Sequence, residues 1–399
     1  MNFWNTLQRP ILGLSPMDGV TDAAYRRVAA RHGGPDVVLT EFTNVEGLSR
    51  NADVMLDDFI YSETERPAVA QIYGKEPEAF YKVAVLACEL GFDGVDVNMG
   101  CPAKNVASRG CGAGLIRTPE LAKEIVRRVQ AGIRDWSNGL SAEDLGLKPR
   151  MAMKVRRMNL ARAGVERVAE RRGIPVSVKT RLGFDSIIVE DWVKHLLETE
   201  PAVISLHGRT LKQMYTGSAD WDAIARAAEV IHRTPTLALG NGDIQSLEEG
   251  LQRIRQSGVD GILIGRAAIG APWIFRGKAA LKAAAAGRPG EAPLDAPVSL
   301  EERFAILLEH ARLFEEIKGL KRFSAMRKHF AFYCKGIPRA AELRNRMFQT
   351  RDSRDVERIV QEYLSQSSTL KAGLEGPTGF SCAEPIARMQ VNKADEVNL

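Results

Sequence analysis

Short apolar runs alternate with longer amphipathic stretches over residues 10–280. "PILGLSPM" (10–17) is followed by "TDAAYRRVAARH", which carries apolar residues at helical spacing from Thr21. "DVVLTEF" (36–42) comes next, then "AVAQIYG" (68–74) and a helical pattern from Pro77 to Leu90. "GVDVNMG" (94–100) precedes the helical "TPELAKEIVRRVQAGI". "PVSVKTRLG" (175–183), "AVISLHGRT" (202–210), "PTLALGNGD" (235–243) and "GVDGILIGR" (258–266) complete the series. Strands that alternate with helices predict parallel pairing through crossover helices. Eight such units close a (β/α)8 TIM barrel of roughly 250 residues. The rival, an open doubly wound sheet, would carry a G-x-G-x-x-G turn after its first strand, and none is present.

Two stretches break the pattern. Between Arg134 and Gly173 the connection is far longer than the usual few residues. Its second half predicts a basic helix, with nine Lys/Arg from Lys148 to Arg172 against Glu166 and Glu170. This insertion, at about 134–172, joins a helix end to a strand start. It is therefore expected at the bottom of the barrel. "AAAAGRPGEAPLDAPVS" then reads as a linker over 283–298. The expected organisation is a barrel domain over 1–282, this linker, a small C-terminal helical bundle over 299–365, and a disordered tail over 366–399.

Composition narrows the class. The chain is 45% hydrophobic and 26% charged, as in a globular protein with a sizeable core. The net charge of +5 permits a polyanionic partner without requiring one. No apolar run reaches the length of a membrane span, and the N-terminus lacks signal-peptide features, so a cytoplasmic protein is expected. Five scattered cysteines (Cys88, Cys101, Cys111, Cys334, Cys382) read as reduced thiols. No metal site is expected, because the segment between Cys101 and Cys111 offers no histidine.

Chemistry in such barrels gathers at the C-terminal strand ends. Those ends carry Pro16-Met17-Asp18, Glu41, Gln71, Asn98 with Cys101 just beyond, and Lys179 with Arg181. Next come His207 with Arg209, Asn241-Gly242-Asp243, and Gly265-Arg266. Each alone is weak evidence; their convergence on one rim is the signal. The glycines after the seventh and eighth strands allow backbone N–H groups to approach a phosphate. Lys179 ends an apolar strand and calls for an anion such as the N1–C2 edge of a reduced flavin, or else a carboxylate such as Asp96. His207 reads either as a core histidine or, beside Gly208 and Arg209, as a ligand.

The segments "SPMDGVTDAAYRR", "QIYGKEPEAF", "DVNMGCPAKNV", "VKTRLGF", "LHGRT", "LGNGDI" and "GVDGILIGRAAIGAPWIF" together resemble the tRNA-dihydrouridine synthases. The likeness spans about Leu12 to Phe275 and resumes in "MRKHFAFYCKGIPRAAELRNRM". It implies an FMN enzyme that uses NADPH (or NADH) to reduce the C5–C6 bond of a uridine in tRNA. Carried over, FMN contacts would fall to Pro16, Met17, Asp18, Gln71, Lys179, His207, Asn241, Gly242, Asp243, Gly265 and Arg266. Cys101 would be the general acid, and Asn98 and Arg181 would face the uracil. A thiol of ordinary pKa about 8.5 is mostly protonated at neutral pH and suits that role.

The resemblance also implies that the helical domain holds tRNA, with Arg327 and Lys328 among nine Lys/Arg between Lys318 and Arg346. Phe323, Phe330, Phe332 and Tyr333 interleave with these cations but have the spacing of core residues. No stable protein partner is expected, and the chain is taken as a monomer. The alternatives are a flavin-dependent reductase of a free pyrimidine and a non-catalytic tRNA-binding protein on the same scaffold. The resemblance implies no role for Cys111, and most such relatives lack the 134–172 insertion, whose basic helix is expected to be an outer brace or an added RNA or partner contact.

Overall fold

The computed structural model describes residues 2–168, 170–288 and 292–374. They divide into two compact units, with the boundary in the chain between Val298 and Ser299. The first contains nine strands: β1 (Ile11–Leu14), β2 (Val37–Leu39), β3 (Thr43–Asn44), β4 (Ala68–Tyr73), β5 (Gly94–Met99), β6 (Val176–Arg181), β7 (Val203–His207), β8 (Leu237–Asn241) and β9 (Gly261–Ile264). All pairings are parallel. β1 joins β2 on one side and β9 on the other, and β2 joins β4, so eight strands close into a TIM barrel. The two-residue β3 pairs only with the end of β4, and no strand was expected there.

Capping fixes where several helices begin. Asp22 accepts from Tyr25 N to start Ala23–His32, and Asp220 accepts from Ala223 N to start Trp221–Ile231. Apolar faces of these helices pack on outward strand residues such as Val95, Val178, Ile204 and Ile262. Inside, Trp4 from the N-terminal 3-10 turn closes the bottom of the barrel against Ile11, Val37, Val69, Val203, Leu237 and Leu263. A buried ion pair, Arg26 to Glu65 at 2.9 Å, ties the first helix to the segment entering β4.

The insertion docks onto this unit. Its helix, Pro149–Ala163, ends at Gly164, earlier than the basic pattern alone suggested. Lys154 pairs with Asp57 (2.7 Å), Arg162 pairs with Glu63, and Asn159 Nδ2 donates to Glu89 O (2.8 Å). Arg171 donates to the carbonyls of Trp136 and Leu140. Most of its cations therefore face partners on the barrel, which is how an outer brace behaves.

The expected linker begins inside the helix Lys278–Ala285. At its other end Asp295 caps the helix Leu247–Ser257, accepting from Leu247 N (2.8 Å) and Glu248 N (3.1 Å). The second unit contains the helices Leu300–Lys318, Arg327–Tyr333, Ala340–Met347 and Ser353–Leu374. Phe323, Phe330 and Tyr333 are buried in its core, and Arg327 is exposed. The last helix runs past residue 366, and the rest of the expected tail, 375–399, lies outside the described residues.

Candidate active site

Strand alternation decides what lines the barrel mouth. On the parity that buries Val69, Val203, Leu237 and Leu239 inside, the inward positions above them are Gln71, Ser205 followed by His207, and Asn241. Register then aligns Gln71 with Asp96, Asp96 with Ser177, and Asn98 with Lys179. One step higher, Arg181, His207 and Asn241 lie side by side. An apolar plug below thus gives way to a polar layer above.

That layer is hydrogen-bonded throughout. Gln71 Nε2 donates to Asp96 Oδ2 (2.8 Å), Ser177 Oγ donates to Asp96 Oδ1 (2.6 Å), and Asn98 Nδ2 donates to Gln71 Oε1 (3.0 Å). Burial pushes the Asp96 carboxyl up to about 6, against the pull of Ser177, Gln71 and Lys179. Lys179 Nζ donates to Asn241 Oδ1 (3.1 Å) and not to Asp96. Burial, reinforced by Arg181, lowers its ammonium to about 8. From the sequence, Asp96 is named only as an alternative partner for Lys179, and Ser177 is not singled out. The alternation of β5 places Asp96 on the face of Asn98, and that was the available signal.

Cys101 is fixed from both flanks. Asn98 Oδ1 accepts from the N–H groups of Gly100 (3.0 Å) and Cys101 (2.9 Å). Arg181 Nε donates to Gly100 O (2.7 Å), and its Nη1 donates to Thr210 O (3.1 Å) and Met214 O (3.0 Å). Both residues expected to face a uracil therefore also position the cysteine loop. Cys101 itself is 7% exposed, packed with Val106 and Cys111 and flanked by Phe42 and Tyr73. Burial pushes its thiol up, while the Ala103 N–H, Arg181 and Lys179 act in the other direction. The acid form prevails at neutral pH.

The ends of β8 and β9 form the second half of the rim. Gly242 has φ +130°, and a Cβ there would stand 2.8 Å from Ala219 Cβ. Among the described residues the N–H groups of Gly242, Asp243, Gly265 and Arg266 make no turn hydrogen bond, so they remain available to an anion. Asp243 accepts from Arg209 (2.6 Å), Ala219 N (2.8 Å) and Arg266 (2.8 Å). Burial would raise its carboxyl, but these donors outweigh it and hold it below the ordinary range. Burial and the cations Arg181, Lys179, Arg209 and Arg266 hold His207 well below the usual histidine value, so its ring is neutral.

Near β1 the first loop is half-buried at Pro16 and Met17 and exposed at Asp18. The Met17 N–H is already taken by Thr21 Oγ1 (2.9 Å). In the helical unit, Arg327 and Lys328 carry no ion pair among the described residues, whereas Arg339 and Arg346 pair with Glu342 and Glu362. Among the described residues no group of three or more His, Cys, Asp or Glu could hold a metal, and no helix is long and apolar enough to cross a membrane.

The profile of the dihydrouridine synthase (Dus) family matches residues 13–135 and 152–369. It leaves unmatched the interval that joins the helix Pro119–Ser137 to the insertion helix. A probable tRNA-dihydrouridine synthase of Staphylococcus aureus is 32% identical over 92% of this chain and 96% of its own length. The probable tRNA-dihydrouridine synthase 2 of Bacillus subtilis is 32% identical over 91% of this chain and 96% of its own. Among solved structures, DHODH from Eimeria tenella in complex with ferulenol aligns over 70% of this chain and 82% of that one. The identity is 12% and the TM-score 0.45. The matched profile and the near full-length relatives agree with the motifs at the strand ends: this chain belongs to the dihydrouridine synthase family.

Proposed function

We propose that the protein reduces the C5–C6 double bond of uridine in tRNA to give 5,6-dihydrouridine, with FMN as its resident cofactor and NADPH or NADH as reductant. The observation that carries the reading is the geometry of Cys101, clamped by Asn98 and Arg181 at the barrel mouth, where burial raises its thiol. The donor set fits FMN. Backbone N–H groups of Gly242, Asp243, Gly265 and Arg266, with the Arg266 side chain, suit its phosphate, and a Cβ at Gly242 would close that cradle. Gln71, Lys179, Asn241 and His207 suit its ring, with Pro16, Met17 and Asp18 along the first strand's loop. FMN, when bound and reduced, supplies the hydride for uridine C6.

The chain's own residues supply the remaining chemistry. As C5 gains carbanion character, the Cys101 Sγ–H bond breaks and its proton passes to C5. The thiolate left behind is steadied by the charges of Arg181 and Lys179, and solvent reprotonates it once product leaves. Asn98 and Arg181 present polar edges to the uracil while they fix the loop. A base reaches such a mouth only when unstacked, which is cheapest in a single-stranded or distorted region of RNA. The helical unit, 299–365, contributes phosphate contacts through cations such as the exposed Arg327 and the half-buried Lys328.

The test is nucleoside mass spectrometry of unmodified tRNA transcripts incubated with the flavin-loaded protein and NADPH. Uridine is expected to gain two hydrogens with the wild type. With Cys101→Ala the product falls by roughly 100-fold or more at unchanged FMN content. If no dihydrouridine forms in tRNA, the substrate assignment fails; product in the mutant at the wild-type rate removes Cys101 as the acid.

A further inference from the structure

One face of the insertion helix Pro149–Ala163, together with the first barrel helix and residues 53–61, lines a cleft of about 490 Å³. Its cationic lining is Arg27 from the first barrel helix and Lys154, Arg157 and Arg162 from the insertion. Tyr61 and Met158 form part of its apolar wall. Tyr61 and Leu90 lie on the segments that enter β4 and β5, so the cleft lies toward the N-terminal end of the barrel strands, away from the candidate active site.

The charges in this cleft do not cancel. Lys154 is matched by Asp57 at 2.7 Å and Arg162 by Glu63. Asp53, the acid in the lining, faces Arg150 at 3.5 Å. Arg27 and Arg157 have no carboxylate partner among the described residues, and the buried Nε of Arg27 has no acceptor at all. That Nε is shut off from solvent, so it is the unpaired charge of the two guanidinium groups lining the cleft that favours an anion. The Tyr61 ring is already covered, with Arg162 at 4.6 Å, Arg66 at 5.3 Å and Phe92 at 4.5 Å. It offers no free face to a base, so recognition falls to the charged group of a ligand.

We infer that this cleft is a phosphate-ester site, in which Arg27 and Arg157 grip one phosphate group from opposite walls. Two guanidinium forks meeting from different directions suit a tetrahedral phosphate better than a planar carboxylate. The volume lies within the range of small-molecule sites. Such a phosphate has two sources, a free nucleotide or the RNA backbone. The inference does not rest on the proposed catalytic mechanism.

The experiment uses the flavin-loaded full chain as wild type, Arg157→Glu and Arg27→Gln. Calorimetric titration is run with inorganic phosphate, AMP and adenosine, and tRNA affinity is measured across a salt series. Binding of AMP and phosphate but not adenosine, weakened roughly ten-fold or more in both variants, supports the site with a free phosphate ester as its occupant. If the small anions do not bind, but each variant lowers the log-log salt slope of tRNA binding by roughly 0.7 to 0.9, the occupant is an RNA phosphate. Equal binding of all ligands by all three proteins overturns the inference. Arg157 is exposed on its helix, so its variant decides the question even if Arg27→Gln fails to fold.

Discussion

Lys179→Met makes the polar layer's energetics measurable. In the folded apoprotein the ammonium sits where burial and Arg181 bring it from the ordinary 10.5 to about 8. At about 1.36 kcal/mol per pH unit, that drop disfavours the folded state by about 3 kcal/mol wherever the lysine is charged in both states. The sign follows from proton counts. Below pH 8 both folded and unfolded chains hold the proton, and the penalty is complete. Between 8 and 10.5 the unfolded chain retains protons that the folded one has released, so wild-type stability rises with pH. Above 10.5 both are neutral and the penalty is gone.

Methionine keeps the aliphatic volume, removes the charge and gives up the hydrogen bond to Asn241, so a net gain of about 1–2 kcal/mol is expected for the apoprotein at pH 7. Urea denaturation of flavin-free protein at pH 7 and pH 10 reads this directly. The variant should be the more stable at pH 7 and close to wild type at pH 10, while its FMN affinity falls. An apoprotein destabilised at pH 7, together with undiminished FMN affinity, would refute the claim that the barrel maintains an unfavourable cation for an anionic ligand.

Three other outcomes are expected. Gly242→Ala forces a side chain at φ +130° to within 2.8 Å of Ala219 Cβ, so FMN affinity should fall by about 1–3 kcal/mol in fluorescence titration; unchanged affinity would separate this turn from the phosphate. Arg26→Met leaves the buried Glu65 without its cation and should lower stability by about 3–5 kcal/mol, with part regained in the Arg26→Met/Glu65→Leu double variant. A single variant as stable as wild type would contradict the buried-pair reading. In the helical unit His329 is buried against His310 at 4.5 Å, and burial and that ring hold its pKa well below the ordinary 6.5. That unit should keep its full stability above pH 6.5 and lose up to about 2 kcal/mol by pH 5, as the unfolded chain takes up the proton first. Hydrogen exchange over 300–365 would show it, and His329→Phe should remove the pH dependence.

Local pattern alone carried the barrel. Eight apolar runs separated by helical periods leave few ways to bury both faces of each strand, so the closed parallel architecture follows from residues that are neighbours in sequence. The same holds for the rim: Gln71, Asn98, Lys179, His207 and Asn241 stand at strand ends, and period-two alternation fixes the face each one takes. Partnership is another matter, because it depends on register between strands far apart in the chain. Asp96 meets Gln71 across 25 residues and Ser177 across 81, and a slip of one position would turn each of them outward. Arg181 shows the same limit. Its charge was legible, but its grip on Gly100, Thr210 and Met214 required the loops after β5 and β7 to arrive at one place. The basic run of the insertion could equally have been a solvated RNA-binding face. Only docking brought Asp57, Glu63 and Glu89 beneath it, spending most of its charge on the barrel and leaving Arg27 and Arg157 around an open cleft. Sequence periodicity specifies faces, because backbone geometry is local; which charges are neutralised and which remain for a ligand is set by surfaces that exist only once the chain has folded.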